Sequence, residues 1–338
     1  MKSSTWTMRL KAPVCLTWQI TGRCNLSCIH CLAGSSGDGP DRLSMGEVRH
    51  FLDDLARMKV FYINIGGGEP LLHPRFFDIV DYALKRDIYV QFSTNGTLID
   101  RAVAAEIAGR GLRVQVSLDG WKPAVNDPVR GRGTFQQAVK AIRLLRERNV
   151  DVSVNCVVTR ETIAGLDEML RLANRFGAGL RLSRLRPAGR ARDRWRKMVP
   201  DREQYRRLYH WLMEHPEVRT GDSFFFLSAF GAPLPGLCFC GAGKLTCSVD
   251  PAGNVYPCPF TVDKALIAGN IREKPLSELW LEGLLNYWPA AGPEACRGCP
   301  AYGRCRGGCR GASFLVYGNC NMADPECLRG VVNERAFV

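Results

Sequence analysis

The sequence predicts an α/β fold in which six short strands alternate with helices to form a barrel-like wall, followed by a cysteine-rich extension of little regular structure. Three observations point there. Between residues 14 and 186, runs rich in β-branched and aliphatic residues alternate with amphipathic stretches of helical length, the pattern of repeated βα units on a parallel sheet. Regular periodicity then fades beyond the Phe-rich run at 224–227 and the Gly and Pro cluster at 231–236. The 15 cysteines also divide, with Cys24, Cys28 and Cys31 near the start and most of the others between Cys238 and Cys327.

Strands are expected from Val14 to Ile20, Val60 to Ile65, Ile88 to Ser93, Leu112 to Leu118, Val150 to Val158 and Leu180 to Leu185. Helices fit between them at 44–58, 74–86, 100–110, 134–148 and 161–176, with another at 201–215. Ser44, Asp100 and Thr134 are the expected N-caps, because their side-chain oxygens can accept first-turn N–H groups. The spacing favours a barrel-like wall over an open dinucleotide-binding sheet. Three regions follow: a barrel domain at 1–215, a bridging segment at 216–237 and an extension at 238–338. So many Gly, Pro and Cys residues cannot build a core alone, so bound metal has to contribute part of the extension's folding free energy.

With 338 residues and 46% hydrophobic content, the chain can bury a sizeable core, which excludes disordered and fibrous classes. Its 46 basic against 33 acidic side chains leave a formal charge of +13, much of it at 181–197. That balance suits nucleic acid, an anionic membrane, an acidic peptide or an anionic cofactor, and a solvated face is the commonest origin of such a run. No apolar run reaches the roughly 18–20 residues of a spanning helix, and the first ten residues lack the apolar core of a secretory signal. The expectation is a soluble cytoplasmic protein with no membrane and no nucleic-acid partner. In a reducing compartment, clustered cysteines read as metal ligands rather than disulfides.

Cys24, Cys28 and Cys31 form CxxxCxxC directly after the first strand, at the rim where barrel enzymes place their chemistry. Three thiolates holding a [4Fe-4S] cluster would leave one iron free to bind a substrate or cofactor, whereas structural zinc wants four ligands. A zinc knuckle completed by His30 is the alternative. The next strands end in GGGEP at 66–70, STNG at 93–96 and SLDG at 117–120. Each could be a plain turn, but four small polar loops in succession line one rim. At GGGEP, missing side chains would let backbone groups approach a ligand, and Glu69 offers an acceptor for an ammonium group.

These residues resemble the radical S-adenosylmethionine (SAM) enzymes over roughly 14–186, with the match at Cys24, Cys28, Cys31 and Gly67 to Glu69. The resemblance implies a partial (β/α)6 TIM-like barrel in which SAM chelates the open iron and is cleaved by one electron to a 5′-deoxyadenosyl radical. It further implies that Gly67, Gly68 and Glu69 hold the methionyl ammonium, Ser93 and Asn95 the ribose region, and Ser117 with Arg130 the carboxylate. His30, inside the cysteine motif, joins this cofactor-binding set.

In the extension, Cys240 is followed after twelve residues by Gly253 and after four more by Cys258; Cys296 and Cys299 precede Cys305, Cys309 and Cys327. This resembles the SPASM extension of radical SAM maturases, which holds two auxiliary [4Fe-4S] clusters. Carried over by position, Cys240, Cys247, Cys258 and Cys309 would bind the first and Cys296, Cys299, Cys305 and Cys327 the second, making three clusters in all. A pair of zinc ribbons is the alternative. Cys15 and Cys156 read as small buried hydrophobes; Cys238 could replace Cys240, and Cys320 could replace Cys327.

Within the SPASM group the resemblance is to the mycofactocin maturases, through LRLSRLRPAGR at 180–190, TGDSFFFL at 220–227, LPGL at 234–237, CGAGK at 240–244 and DPEC at 324–327. It implies a precursor peptide ending in Val-Tyr, a small peptide-recognition chaperone and a one-electron reductant. The tyrosine would lose a β-hydrogen, one electron and CO2; the valine β-carbon would then join the former tyrosine α-carbon, closing a lactam. Another SPASM activity, sulfatase formylglycine formation or a different peptide cross-link, is the alternative. Asp222, Ser223 and Phe225 are the substrate-pocket candidates, with core packing the competing role for the Phe run.

Overall fold

The computed structural model describes residues 10–39, 43–220, 223–235, 237, 240–282 and 292–329. Six parallel strands, β1 (Cys15–Thr21), β2 (Tyr62–Gly67), β3 (Tyr89–Thr94), β4 (Arg113–Ser117), β5 (Val152–Val158) and β6 (Gly179–Arg184), lie side by side in chain order. Between them run α1 (Met45–Arg57), α2 (Phe76–Leu84), α3 (Arg101–Gly109), α4 (Pro123–Arg130), α5 (Thr134–Arg146) and α6 (Leu166–Arg175). All six expected strands form, with every end within two residues of the expected one, because their alternate residues are apolar and bury against the helices.

Ser44 and Asp100 cap as expected: the Ser44 hydroxyl accepts the Glu47 N–H at 3.3 Å and the Asp100 carboxylate that of Val103 at 2.8 Å. Thr134 does not. Gly133, in the left-handed region at φ +79°, precedes the helix, and the Thr134 hydroxyl instead donates to the Gly131 carbonyl at 2.7 Å. The Asp127 carboxylate takes over the capping, accepting from Gly133 N and Phe135 N at 2.7 and 2.9 Å. Asp127 belongs to α4, a helix that the expected set of elements does not include. Pro123 opens the helix, where no N–H is needed. The expected helix at 161–176 begins as a 3-10 turn at Thr162–Gly165 before continuing as α6.

The two faces of the wall differ. Leu16, Trp18, Ile63, Ile65, Phe92, Val116, Val154 and Leu182 are fully buried. The opposite face is polar and half-buried: Gln91 Nε2 donates to Asn64 Oδ1 at 3.3 Å, Gln115 Nε2 to Ser93 Oγ at 3.1 Å and Ser183 Oγ to Asn155 Oδ1 at 2.7 Å. A closed eight-stranded barrel fills its interior with branched apolar side chains; this six-stranded wall has a hydrophilic one.

Beyond β6 come α7 (Trp195–Met198) and α8 (Arg202–Glu214), then a 3-10 turn at Phe225–Ala229 that buries Phe224, Phe225, Phe226 and Leu227 in the core. The extension contributes a meander of β7 (Thr246–Val249), β8 (Asn254–Tyr256) and β9 (Gly269–Asn270), and helices α9 (Leu276–Glu282), α10 (Tyr302–Cys305) and α11 (Arg310–Tyr317). Strand β7 pairs in parallel with β1, Leu16 opposite Cys247 and Trp18 opposite Val249, so the sheet continues into the extension as one nine-stranded surface. No helix among the described residues is long and apolar enough to cross a membrane.

Candidate functional site

The loop after β1 carries Cys24, Cys28 and Cys31, and its irregular backbone needs partners for its N–H and C=O groups. Three neighbouring segments supply them. Ile29 N donates to Val129 O at 3.0 Å, from α4. Arg190 Nε donates to Cys28 O at 2.9 Å, its Nη1 to Ser35 O at 2.6 Å and its backbone N to Cys31 O at 3.0 Å. From the β3 loop, Asn95 Nδ2 donates to Asn25 Oδ1 at 2.9 Å, and Asn25 Nδ2 to Thr97 Oγ1 at 2.8 Å. Burial pushes the Cys24 and Cys28 thiols up, and each is raised further by the charge of its neighbouring cysteines, so the three sulfurs share one environment. Asn25 and Arg190 lie outside the expected site set, since their roles come from contacts up to 162 positions away.

The glycines of GGGEP serve two purposes. A Cβ at Gly67 would fall 2.3 Å from Thr21 O and one at Gly68 1.9 Å from Arg23 O, so these two let the β2 loop lie against the cysteine loop. Gly68 N and Glu69 N donate there, to Thr21 O and Arg23 O, both at 2.8 Å. Around Gly66 nothing lies within 4 Å of such a Cβ although the residue is buried, and Ser93 follows the Phe92 that pairs with its neighbour Ile65. The room for a ligand is at Gly66. The Glu69 carboxylate, expected to take an ammonium group, lies among donors of its own chain. It is fully buried, with Oε1 accepting from Thr94 Oγ1 and Leu71 N at 2.8 and 3.3 Å and Oε2 from Asn95 N at 2.8 Å. Burial pushes its pKa up to about 7.

Asp119, in the SLDG loop after β4, is fully buried and organises the next layer. Its Oδ2 lies 2.6 Å from His30 Nε2 and 2.6 Å from Arg130 Nε, the latter an ion pair without an aligned N–H, while Oδ1 accepts Val157 N at 2.7 Å. Burial would raise this carboxyl, but the adjacent Arg130 and His30 hold it well below the ordinary range. The buried guanidinium of Arg130, expected to meet a ligand carboxylate, is paired with Asp119, and its carbonyl faces the Cys28 sulfur at 3.9 Å. His30 keeps one buried nitrogen, Nδ1, without a protein partner. Ser117, the expected ligand contact here, is the last residue of β4, and Asp119, outside the expected set, lies two residues on.

In the extension the described cysteines form two groups. Cys296, Cys299, Cys305 and Cys327 line one cavity together with Phe226, while Cys320 is not among its walls. Burial raises the Cys240 and Cys258 thiols, and the neighbouring Cys309 raises both further. Cys247 does not join them. It sits on β7, fully buried in the core, and the thiol acting on it is that of Cys15 on β1. Cys156 is fully buried in the core as expected. Cys238 and the pocket candidate Asp222 lie outside the described residues. Of the other two candidates, Ser223 has φ +62° and is held by arginines, its hydroxyl accepting from Arg186 and its carbonyl from Arg184 Nη1 at 3.3 Å; Phe225 is core.

The chemistry of these donors fits iron–sulfur clusters. Four thiols, those of Cys296, Cys299, Cys305 and Cys327, line one cavity. At the barrel rim, three thiols, the open space at Gly66 and the unpartnered His30 Nδ1 fit a cluster with a polar ligand beside it.

Fold, cysteine loop and extension define the class: a radical SAM enzyme with a SPASM extension. The Radical SAM superfamily model matches residues 18–173, and that of the SPASM iron-sulfur cluster-binding domain matches 238–300. The chain is 46% identical over 330 residues to the mycofactocin maturase MftC of Mycolicibacterium smegmatis, covering 95% of this chain and 84% of that one. It is 44% identical to the mycofactocin maturase of Mycobacterium ulcerans, covering 95% and 89%. The chain belongs to the mycofactocin maturase family. Its fold is shared by Streptococcus suis SuiB bound to S-adenosylmethionine (TM-score 0.77, 17% identity, 94% of this chain and 77% of that one) and by anSMEcpe with bound AdoMet (TM-score 0.70, 19% identity, 93% and 94%).

Proposed function

We propose that this enzyme modifies a ribosomally made precursor peptide ending in Val-Tyr, first by oxidative decarboxylation of the tyrosine and then by a C–C cross-link to the valine that closes a lactam. In the first change the tyrosine loses its carboxylate as CO2, one β-hydrogen atom and one electron, leaving a Cα=Cβ double bond. In the second, the valine β-carbon gives up a hydrogen atom and bonds to the former tyrosine α-carbon, and the tyrosine β-carbon, left with an unpaired electron, takes up one electron from the reductant and one proton from solvent, so this step leaves the peptide mass unchanged. The observation that carries this reading is the three-thiol loop beside the open space at Gly66 in a chain of this family.

Cys24, Cys28 and Cys31 would hold the first of three [4Fe-4S] clusters, leaving one iron open, and the Gly66–Gly68 backbone, Ser93, Asn95, Ser117 and His30 would surround SAM. When bound, this pair supplies the 5′-deoxyadenosyl radical that removes hydrogen atoms from the peptide. Cys240, Cys258 and Cys309, with Cys238 in the fourth place, would hold one auxiliary cluster; Cys296, Cys299, Cys305 and Cys327 would hold the other. The chain's own residues keep competing hydrogen donors out, Asp119 orients His30, and Glu69 fixes the loops on which the cofactor would rest. A small peptide-recognition chaperone presents the substrate, and an external one-electron reductant is needed for each SAM consumed.

The test is anaerobic incubation of the reconstituted enzyme with a Val-Tyr-ending peptide, the recognition protein, SAM and a reductant. The expected product has lost CO2 and two hydrogens. Abundant 5′-deoxyadenosine with an unchanged peptide mass would point to a different substrate and overturn the proposal.

A further inference from the structure

Two arginines at the end of the barrel wall, Arg184 as the last residue of β6 and Arg186 two positions beyond it, face the extension. Arg184 is neutralised by Asp324 and Glu326. Arg186, 3% exposed, reaches further: its Nη1 donates to the Cys309 sulfur at 3.4 Å, its Nη2 to the Ser223 hydroxyl, and its guanidinium lies 3.9 Å from the centre of the Phe260 ring. Cys309 stands at the N-terminus of α11 and also accepts Ala312 N at 3.4 Å. Its companions take neutral donors, a backbone N–H at Ala242 for Cys240 and a contact with the Thr261 hydroxyl at 3.5 Å for Cys258.

We propose that Arg186 sets the reduction potential of the auxiliary cluster to which Cys309 belongs, and couples that cluster to Ser223. The inference rests on the reading of Cys309 as a cluster ligand. A reduced cluster carries one more negative charge than an oxidised one, and hydrogen bonds and charge at the ligand sulfurs are main determinants of cluster potential. A buried cation at 3.4 Å, screened from water by Phe260 and the core, favours the reduced form. The potential is therefore higher than backbone donors alone would set, which suits a centre that accepts the electron released with CO2. The same guanidinium grips Ser223, whose left-handed backbone is a conformation retained where the surroundings impose it.

The experiment is potentiometric titration of the anaerobically reconstituted full chain followed by electron paramagnetic resonance. Cys309→Ala identifies the couple, as the one it removes. In Arg186→Met that couple moves to more negative potential while the others stay, and Arg186→Lys, which keeps the charge, brings it back toward wild type. An unmoved couple in Arg186→Met overturns the inference alone, whereas no couple lost in Cys309→Ala overturns the ligand reading beneath it. If Arg186→Met does not load the cluster, Arg186→Gln is titrated in its place. Failure of both to load, with helix content unchanged, would make Arg186 an assembly residue and likewise overturn the inference.

Discussion

The Asp119 carboxylate meets the His30 imidazole at 2.6 Å, linking the loop after β4 to the space between two motif cysteines. The contact fixes which ring nitrogen faces inward, because Nε2 is committed to Asp119 and Nδ1 is the one left for a ligand. Asp119→Asn should therefore weaken SAM binding about 10- to 100-fold, the usual cost of losing an orienting partner. Equilibrium SAM binding to the reconstituted protein checks this, and the iron content should remain unchanged. Asp119→Ala leaves Arg130 buried without its counter-charge and should also destabilise the fold by about 3–5 kcal/mol.

Gly66 and Gly68 separate ligand space from chain packing. Gly68→Ala drives a methyl group into the Arg23 carbonyl, so it should cost about 1–3 kcal/mol and impair loading of the barrel cluster. Gly66→Ala meets nothing in the protein, so the iron content and unfolding midpoint should hold while SAM affinity falls roughly tenfold, about 1.4 kcal/mol. Iron analysis and SAM binding on the two variants distinguish these outcomes. Equal effects would mean that the open space is not used.

The sequence shows the barrel because its strands are apolar on alternate positions and its helices announce their starts at Ser44 and Asp100. It hides α4 because Pro123 and Pro128 mimic a loop, and β7 because four residues, one of them cysteine, carry no periodic signal. The cysteine spacing points to metal, yet it does not show that Cys247 lies in the core, a position set by pairing with β1 across more than 200 residues. Asp119 is unreadable for the same reason, since its partner His30 lies 89 positions away. Local pattern reveals the elements; long-range contacts decide which polar side chain does what.

Arg184 ties the barrel to the extension through an ion network 1–4% exposed, donating to Asp324 at 2.5 and 2.8 Å and to Glu326 at 2.7 Å. Removing one partner strands a buried charge, so Asp324→Ala should cost about 3–5 kcal/mol in denaturant unfolding. Breaking the solvent-accessible Arg86–Asp53 pair with Asp53→Ala should cost less than about 1 kcal/mol.

Glu69 makes stability depend on pH. Its carboxyl rises from 4.5 to about 7 in the fold, so the folded chain binds this proton more tightly than the unfolded chain. The protonated form incurs no burial penalty below pH 4.5, and stability then falls as pH rises through about 7, by roughly 3 kcal/mol at full ionisation. Glu69→Gln cannot ionise and should lose this component. In SAM-free protein, wild type minus variant should therefore decline across that window, as followed by unfolding at successive pH values. A flat difference would show that the three donors stabilise the carboxylate as well as water does.

Cys247 decides the first auxiliary ligand set. Its sulfur lies on β7 in the core, acted on by Cys15, while Cys309 acts on both Cys240 and Cys258. A thiol that packs as a hydrophobe can be shortened at modest cost, so Cys247→Ala should retain all its iron and lose about 1–2 kcal/mol of stability from the vacated volume. Cys258→Ala should instead lose one cluster, about four irons per chain, because a cubane deprived of a thiolate is exposed to hydrolysis and oxidation. Iron and sulfide analysis after anaerobic reconstitution reads both. Equal loss in the two variants would return Cys247 to the ligand set and would require β7 to detach from β1 when the cluster binds.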